Sequence, residues 1–371
     1  MATISSTANP LAHDNDSGNT ATLAARLDIS TVVGQLVRVE NGKLRCVACG
    51  HRCLLAEGRR GVCKVRFNQG GVLKVPFGYT AGMACDPIEK KPFFHVYPGG
   101  DALTFGMLGC DFHCAYCQNW MTSQALRDPI AGVPVRPVTP AQIVSAAIRE
   151  NAKLVVSSYN EPLITAEWAH AVFETAMDRG LKCAFVSNGN ATPEVLDYLQ
   201  PCLAAYKVDL KTFNESHYRS LGGKLTTVLE TIQMLHQRGI WLEVLTLVVP
   251  GFNDTSEELH NIARFVASVS RDIPWHVTAF HPDYQMTGPA YTMAADLVRA
   301  AEIGAEAGLH YVYTGNMPGG TGEWENTRCP VCHETLVRRQ GYHVHDYCLT
   351  PTGQCPKCNT RIPGIWHSVS L

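Results

Sequence analysis

The sequence predicts an α/β fold, a partial or complete (β/α) barrel with a small cysteine-rich module on either side. Three observations support this class. Short apolar runs alternate with amphipathic segments between residues 102 and 320, and a polar or glycine-rich turn follows each run. Cysteines cluster before this region, at its start and after it. Repeated strand–helix units favour a parallel sheet, because parallel neighbours need a crossover connection that is usually a helix.

Seven apolar runs are predicted to be strands, at 102–108, 154–158, 183–187, 204–210, 241–249, 276–280 and 310–314. Apolar residues recur at helical spacing in the segments between them. Helix starts are indicated at Thr139 and Thr192, which each precede a proline, because Thr is a good cap and proline suits the first helical position. Helix ends are indicated at Gly180 and Gly239, since glycine readily takes the left-handed conformation.

Polar or glycine residues follow every predicted strand. In chain order they are Cys110, 159–162, 187–189, Asp209 with Lys211, 250–254, 281–284 and Gly315 with Asn316. The carboxyl ends of parallel strands in a barrel lie on one rim, where active sites of such folds are found. Chance would not place seven polar turns at the same end, so we expect a site on this rim.

The loop at 109–120 carries three cysteines directly after the first predicted strand. Three residues separate Cys110 from Cys114, and two separate Cys114 from Cys117. Three thiolates on one short loop suit three irons of a cubane and leave the fourth iron without a protein ligand. A structural zinc site would need four ligands and a closed shell. A substrate or cofactor can chelate the open iron.

This spacing, with the aromatic Tyr116 just before Cys117, resembles the signature of radical S-adenosylmethionine (radical SAM) enzymes. The resemblance implies a radical SAM partial or complete (β/α) barrel and a [4Fe-4S] cluster whose free iron binds the methionyl group of S-adenosylmethionine. One electron, from a donor such as flavodoxin or ferredoxin, would then cleave the cofactor to methionine and a 5′-deoxyadenosyl radical. That radical would abstract hydrogen from a substrate.

Further stretches resemble one subgroup, the AmmeMemoRadiSam-type radical enzymes, which are relatives of the pyruvate formate-lyase activating enzymes. The matching stretches are 46–68, 86–92, 117–119, 159–162, 249–254, 280–286 and 315–320. The likeness runs from about Cys46 to Trp366 and includes the C-terminal module. It implies an oxidoreductase-like enzyme, or an activase, and leaves the substrate open.

The resemblance also implies which residues bind S-adenosylmethionine. The superfamily holds the methionyl amine with a Gly-Gly-Glu-like turn after the second strand, and the matching turn here contains Asn160 and Glu161 but no paired glycines. Glu161 can still accept a charge-assisted bond from an ammonium group. Tyr116 belongs to the predicted cofactor-binding set.

Two further pairs complete that set. Ser187 and Asn188 are candidates for the ribose or the carboxylate, and Asp209 and Lys211 for the same groups or for the substrate. Each candidate has a structural alternative. Ser187 and Asn188 could cap the next helix, and Asp209 could pair with Lys211. Glu161 could likewise cap the helix that follows it.

Two other cysteine groups flank the predicted barrel. Cys329, Cys332, Cys355 and Cys358 form two Cys-x2-Cys pairs at a spacing close to that of a zinc ribbon, so a structural zinc is predicted. Cys46, Cys49, Cys53 and Cys63 are less regularly spaced. They are candidates for zinc or a non-catalytic cluster, and free buried cysteines are the alternative.

Composition narrows the classes of function. The net charge of −2 gives no electrostatic case for a nucleic acid or an acidic membrane surface. No stretch approaches twenty apolar residues, and the N-terminus lacks a basic region followed by an apolar one, so neither a transmembrane helix nor a secretory signal is expected. Fifteen cysteines, an odd number, argue for metal sites in a reducing cytosol. A cytoplasmic protein is predicted.

The predicted organisation has four parts: a tail and short helix at 1–40, a cysteine-rich module at 41–101, the barrel at 102–320 and a zinc-ribbon-like module at 321–371. In the first part, 1–20 is predicted to be disordered and 21–39 to form one short helix. Three functions compete. The first is a radical enzyme acting on a small molecule or a protein, the second an activase that installs a glycyl radical, and the third a zinc-dependent binding module without catalysis. The third would not explain the three-cysteine loop or the polar rim.

Overall fold

The N-terminal region consists mainly of short antiparallel strands. The structure, a computed structural model, describes residues 22–366, and the tail predicted to be disordered at 1–20 lies outside them. In chain order the region contains α1 (Leu23–Leu27), β1 (Thr31–Val33), β2 (Val37–Glu40), β3 (Lys43–Cys46), β4 (Leu54–Leu55), β5 (Phe67–Gln69), β6 (Val72–Pro76), β7 (Tyr79–Thr80) and β8 (Gly82–Pro87). Strands β1, β6 and β5 form one three-stranded sheet, and β2, β3 and β4 form another.

The segment at 21–39 differs from its prediction as one short helix. Helix α1 covers only five residues, and strands β1 and β2 follow it. The β-branched run from Thr31 to Val33 favours an extended backbone and pairs with β6. Strand β2 forms a hairpin with β3, so the predicted boundary at residue 40 falls inside a pair of hydrogen-bonded strands.

An eight-stranded sheet forms the centre of the molecule. In chain order the structure contains β9 (Asp101–Gly106), α2 (Trp120–Ser123), β10 (Arg136–Pro137), α3 (Pro140–Arg149), β11 (Leu154–Ser157), α4 (Ala166–Met177), β12 (Lys182–Ser187), α5 (Pro193–Leu199), β13 (Ala205–Asp209), α6 (Glu215–Leu221), α7 (Leu225–Gln237), β14 (Trp241–Val248), α8 (Ser256–Val269), β15 (Trp275–Ala279), α9 (Ala294–Glu306) and β16 (Val312–Gly315). The strand order is β16-β15-β14-β13-β12-β11-β9-β8.

Seven strands of this sheet are parallel and coincide with the seven predicted runs. The eighth, β8, pairs antiparallel with β9 and was not predicted. The sheet ends at β8 and β16 without closing, so the barrel is partial. Strand β11 is buried along its whole length, as expected of a central parallel strand covered on both faces.

The predicted capping residues lie at the starts of two helices. Thr139 accepts a hydrogen bond from the Gln142 amide and forms a capping box at the start of α3, and Thr192 caps α5. Helix α3 buries Ile143 and Val144 against the sheet. The longest described helix, α8, has fourteen residues, and between residues 22 and 366 no helix is both long and apolar enough to span a membrane.

The strand register aligns the carboxyl ends of the parallel strands. Ser157 lies opposite Phe185, and Ser187 lies opposite Val208. One strand further on, Asp209 lies opposite Leu245. The turns that follow these strands therefore emerge at one edge of the sheet, as the sequence predicted.

The C-terminal region adds a small antiparallel sheet of β17 (Thr327–Arg328), β18 (Thr335–Gln340) and β19 (His343–Tyr347). It packs against the loop before β9. The buried Arg339 donates to the Phe94 carbonyl at 2.7 Å, and its guanidinium lies 3.4 Å from the Glu89 carboxylate. Val96 and Ile365 form a further β-bridge, so this module contacts the sheet region at several points.

Candidate functional site

The three-cysteine loop leaves the carboxyl end of β9 and continues to α2 at Trp120. Cys114 is buried, and Cys110 and Cys117 are partly exposed. Two of the sulfurs have polar neighbours: the Phe112 amide donates to Cys110 Sγ at 3.3 Å, and Cys117 Sγ lies 3.1 Å from Ser123 Oγ. The loop thus presents its thiols at the predicted rim.

Neighbouring rim loops hold the cysteine loop in place. The Tyr116 ring meets the Phe252 ring edge-on at 5.6 Å, and the Gln285 amide donates to the Ala115 carbonyl at 2.9 Å. Tyr284 stacks on Trp120 with the ring centroids 5.1 Å apart. The turns after the fifth and sixth parallel strands therefore act as supports for the cysteine loop.

The three thiols of the loop are not gathered around one point as the ligands of a single ion are. Among the described residues, the one group of three or more cysteine, histidine or acidic ligands whose atoms all lie within 4.8 Å of one another is in the C-terminal module. Cys110, Cys114 and Cys117 do not meet this criterion. Thiolates that ligate different irons of a cubane are farther apart than ligands of one ion, so their donor set fits a [4Fe-4S] cluster with one open iron.

A cavity of about 360 Å³ lies beside Cys114 and Cys117. Its walls come from four of the seven rim turns. Besides the cysteine loop, these turns contribute Tyr159, Asp209 and Asn316. The flanking regions also reach it, because Lys91 of the loop before β9 and Tyr342 of the β18–β19 turn line the same space. The rim predicted from the sequence is thus a concave site.

Asp209 lies between two lysines on this wall. Lys211 Nζ donates to Asp209 Oδ2 at 3.1 Å, and Lys207 Nζ donates to Asp209 Oδ1. Burial acts to raise the pKa of Asp209, but the two ammonium groups outweigh it and lower the pKa to about 2. Asp209 is thus paired with Lys211, as its structural alternative stated, and also with Lys207, and this charged cluster lines the cavity.

Lys207 was missed in the sequence analysis. It lies inside β13, two positions before Asp209, and side chains two apart on a strand face the same side of the sheet. This spacing of two residues was the sequence signal that could have identified Lys207 as a site residue. An isolated lysine in an otherwise apolar run is a further sign that this face of the strand lines a polar space.

Glu161 lies in a buried network beside the cavity, and it does not line the cavity wall. Its Oε1 accepts from the Leu163 amide at 3.0 Å and from Ser187 Oγ at 2.7 Å, and its Oε2 accepts from the Asn188 amide at 2.8 Å. Burial raises the pKa of Glu161 to about 8, and the charge of Asp111 adds to the rise. Both carboxylate oxygens are thus engaged by the protein itself, and one of them caps the 3-10 turn Pro162–Thr165 that leads into α4.

The same network holds the cysteine loop from behind. Asn188 Nδ2 and Asn190 Nδ2 each donate to Asp111 at 2.8 Å, and Asp111 follows Cys110 in the chain. Asn160 Oδ1 accepts from the Met107 amide at 2.9 Å at the base of the loop. The predicted cofactor ligands Asn160 and Asn188 therefore contact the segment that carries the first cysteine, and Ser187 reaches it through Glu161, whose amide donates to the Gly109 carbonyl.

The C-terminal cysteines meet at one point, as predicted. Cys329 Sγ lies 3.5 Å from Cys358 Sγ, and Cys332 Sγ lies 3.6 Å from Cys355 Sγ. All four sulfurs lie within 4.8 Å of one another, so the group can hold a metal ion. Cys348 is exposed and lies outside the group.

The fold and the site together define a class. A partial parallel barrel with a three-cysteine loop at the carboxyl end of its first parallel strand is the arrangement that the radical SAM resemblance implied. The family model described as "Radical SAM superfamily" matches residues 105–266, and the chain belongs to this superfamily.

Individual relatives refine this placement. An uncharacterised protein of Methanocaldococcus jannaschii is 37% identical over 328 residues, which cover 88% of this chain and 96% of that protein. The pyruvate formate-lyase 1-activating enzyme of Escherichia coli is 24% identical over 195 residues, covering 50% of this chain and 77% of the enzyme. The chain is thus homologous to pyruvate formate-lyase activating enzymes, and likeness to the narrower AmmeMemoRadiSam-type subgroup stays a prediction.

A domain of a pyruvate-formate lyase-activating enzyme from Bacteroides vulgatus aligns with a TM-score of 0.40 and 16% identity. The alignment covers 44% of this chain and 98% of that domain.

Proposed function

We propose that this protein cleaves S-adenosylmethionine reductively at a [4Fe-4S] cluster held by Cys110, Cys114 and Cys117, and acts on a substrate that is still to be identified. The observation that carries the proposal is the cavity in which Cys114 and Cys117 share walls with Asp209 and Lys211. When bound, the cluster and the cofactor supply a 5′-deoxyadenosyl radical for hydrogen abstraction.

Within this proposal the ionised wall binds the polar end of the cofactor. The Asp209 carboxylate accepts a hydrogen bond from the methionyl ammonium group of the cofactor. The ammonium groups of Lys207 and Lys211 attract the methionyl carboxylate. Tyr116 closes the apolar side of the same space. Asn160, Glu161, Ser187 and Asn188 orient the cysteine loop from behind through the network around Asp111.

The direct test is anaerobic reconstitution with iron and sulfide, followed by reduction in the presence of S-adenosylmethionine. Formation of 5′-deoxyadenosine supports the proposal. A fully reconstituted protein that binds the cofactor but never cleaves it would overturn the proposed activity.

A paired substitution separates the two candidate cofactor contacts. Asp209→Asn is expected to weaken cofactor binding about tenfold or more, because charge-assisted bonds contribute about 1.5–3 kcal/mol. Glu161→Gln is expected to lower the melting temperature and leave the affinity nearly unchanged, because its amide group faces donors that Glu161 now satisfies. Cofactor titration and thermal melting of both variants measure this. Lost affinity with normal melting in Glu161→Gln would show that Glu161 reaches the cofactor after all.

We further propose that the C-terminal cysteines hold a structural zinc ion. Four thiolates within 4.8 Å suit a closed tetrahedral site. Cys355→Ser in the full chain is expected to lose about one zinc per molecule and to loosen the C-terminal sheet. Cys348→Ser is the matched control and should keep its zinc, because Cys348 lies outside the group. Equal zinc content in the two variants would contradict the assignment.

Homology to the pyruvate formate-lyase activating enzymes supports activase chemistry as a second candidate. Its substrate would be a protein, whereas the first candidate accepts a small molecule as well. Both need a one-electron donor such as flavodoxin or ferredoxin, and both fit a reducing cytoplasm. A glycyl radical signal in a co-purified partner, formed only with cofactor and reductant, would favour the activase.

A further inference from the structure

The four N-terminal cysteines lie on two tight turns that face each other. Strand β3 ends at Cys46, and its amide donates to the carbonyl of Cys53 at 2.9 Å, which closes the first turn around Cys49. The second turn, at 61–64, carries Cys63. Cys46, Cys49 and Cys63 are buried, and Cys53 is partly exposed.

The sulfurs of these cysteines are surrounded by donors. The Val62 amide donates to Cys53 Sγ at 3.4 Å, and the buried Arg66 donates through Nε to Cys46 Sγ at 3.2 Å. A Cβ atom on Gly61 would lie 3.5 Å from Cys53 Sγ and 3.7 Å from Cys63 Sγ. Sulfurs from both turns therefore border the same space, and the Arg66 guanidinium lies beside it.

The spacing of these sulfurs distinguishes a cluster from a single ion. No three of the four lie within 4.8 Å of one another, whereas all four C-terminal cysteines do. The sulfurs of Cys110, Cys114 and Cys117, like those of the N-terminal group, do not all lie within 4.8 Å of one another. Ligands of different irons are spread around a cubane, so this wider separation is compatible with a cluster, whereas a tetrahedral zinc ion would need the four sulfurs closer together.

We propose that Cys46, Cys49, Cys53 and Cys63 ligate a second [4Fe-4S] cluster. With four protein ligands it would have no open iron, so it cannot chelate S-adenosylmethionine, and its chemistry is one-electron transfer. A reduced carrier protein or dithionite supplies the electron, and no bond forms or breaks in this step. The cluster returns to its oxidised state when it passes that electron on.

The proposed site is packed against the three-cysteine loop. His51 Nε2 lies 3.1 Å from the Asp111 carbonyl, and a Cβ on Gly109 would come within 3.2 Å of the Cys63 carbonyl. Arg127 bridges the two parts, donating to the carbonyls of Phe112 and Val62. These contacts lie on both sides of Cys110, so an electron on the N-terminal cluster would be next to the radical site.

The test uses the full chain with Cys110, Cys114 and Cys117 all replaced by Ala. After anaerobic reconstitution we expect about four irons and four acid-labile sulfides per molecule, against about eight of each in the unsubstituted protein. Reduction with dithionite should bleach the absorbance and produce the electron paramagnetic resonance signal of a reduced cluster. Adding Cys63→Ala should remove the signal, whereas adding Cys85→Ala, outside both groups, should leave it.

Several outcomes would overturn the proposal. They are a triple variant without iron, one with iron but no sulfide, and one with zinc bound by Cys46, Cys49, Cys53 and Cys63. Because the triple variant lacks the ligands of the proposed radical site, its cluster signal is independent of that site, and the added Cys63→Ala change separates the N-terminal group from the C-terminal cysteines. The iron lost between the unsubstituted protein and the triple variant tests that site separately.

Discussion

Replacing Cys110, Cys114 and Cys117 together by Ala is expected to abolish 5′-deoxyadenosine formation completely. The three thiols are the cluster ligands that this loop offers, two of them line the cavity, and the loop has no fourth cysteine. Without them no iron is held beside Asp209 and Lys211, so an electron has no route into the cofactor. The loss should be far larger than that from any polar residue of the cavity wall, because the polar residues only bind and orient.

The measurement is product formation under anaerobic conditions with excess reductant, with iron and sulfide counted in the same samples. Cys85→Ala is the control, since Cys85 lies on β8 away from the loop and should leave the product yield unchanged. A triple variant that still forms 5′-deoxyadenosine would show that the radical site lies elsewhere in the chain.

The central sheet could be predicted because its signals are local. Each parallel strand is an apolar run of four to eight residues, and the caps at Thr139 and Thr192 are side-chain contacts within four residues of the chain. The three-cysteine loop was predictable for the same reason, since its ligand spacing is contained in one turn. Parallel pairing then placed the rim turns at one edge without further information.

The parts that could not be predicted depend on contacts distant in sequence. Strand β8 joins the sheet by antiparallel pairing with β9, which no local pattern specifies. Whether Glu161 faces the cofactor or the protein depends on Ser187 and Asn188, which belong to the next strand and its turn. The resemblance named both Glu161 and Asp209 as cofactor candidates, and only the structure separates them, with Asp209 on the cavity wall and Glu161 in the network beside it.

A buried ion pair fixes the N-terminal cysteines to the sheet region. Arg66 donates to both oxygens of Glu167 at 2.6 and 2.8 Å, and both side chains are almost fully buried. Glu167 also accepts from the amides of Gln35 and Leu36, at 3.2 and 3.3 Å. Burial acts to raise the pKa of Glu167, but Arg66 outweighs it and the pKa is lowered. One carboxylate in the first turn of α4 thus holds both the segment that leads into β2 and Arg66, which follows the second cysteine turn.

Glu167→Gln is expected to lower the free energy of unfolding by about 3–5 kcal/mol, because it leaves the Arg66 charge buried without a partner. Urea unfolding of the anaerobically purified protein measures this loss. Asp346→Asn is the control: it breaks the exposed pair with Arg338, and exposed pairs contribute little to stability. If Glu167→Gln unfolds at the same urea concentration as this control, the ion pair does not anchor the N-terminal region. A loss confined to Glu167→Gln would show that this buried pair stabilises the fold far more than the exposed pair does, because only the buried loss leaves a charge without water or a partner.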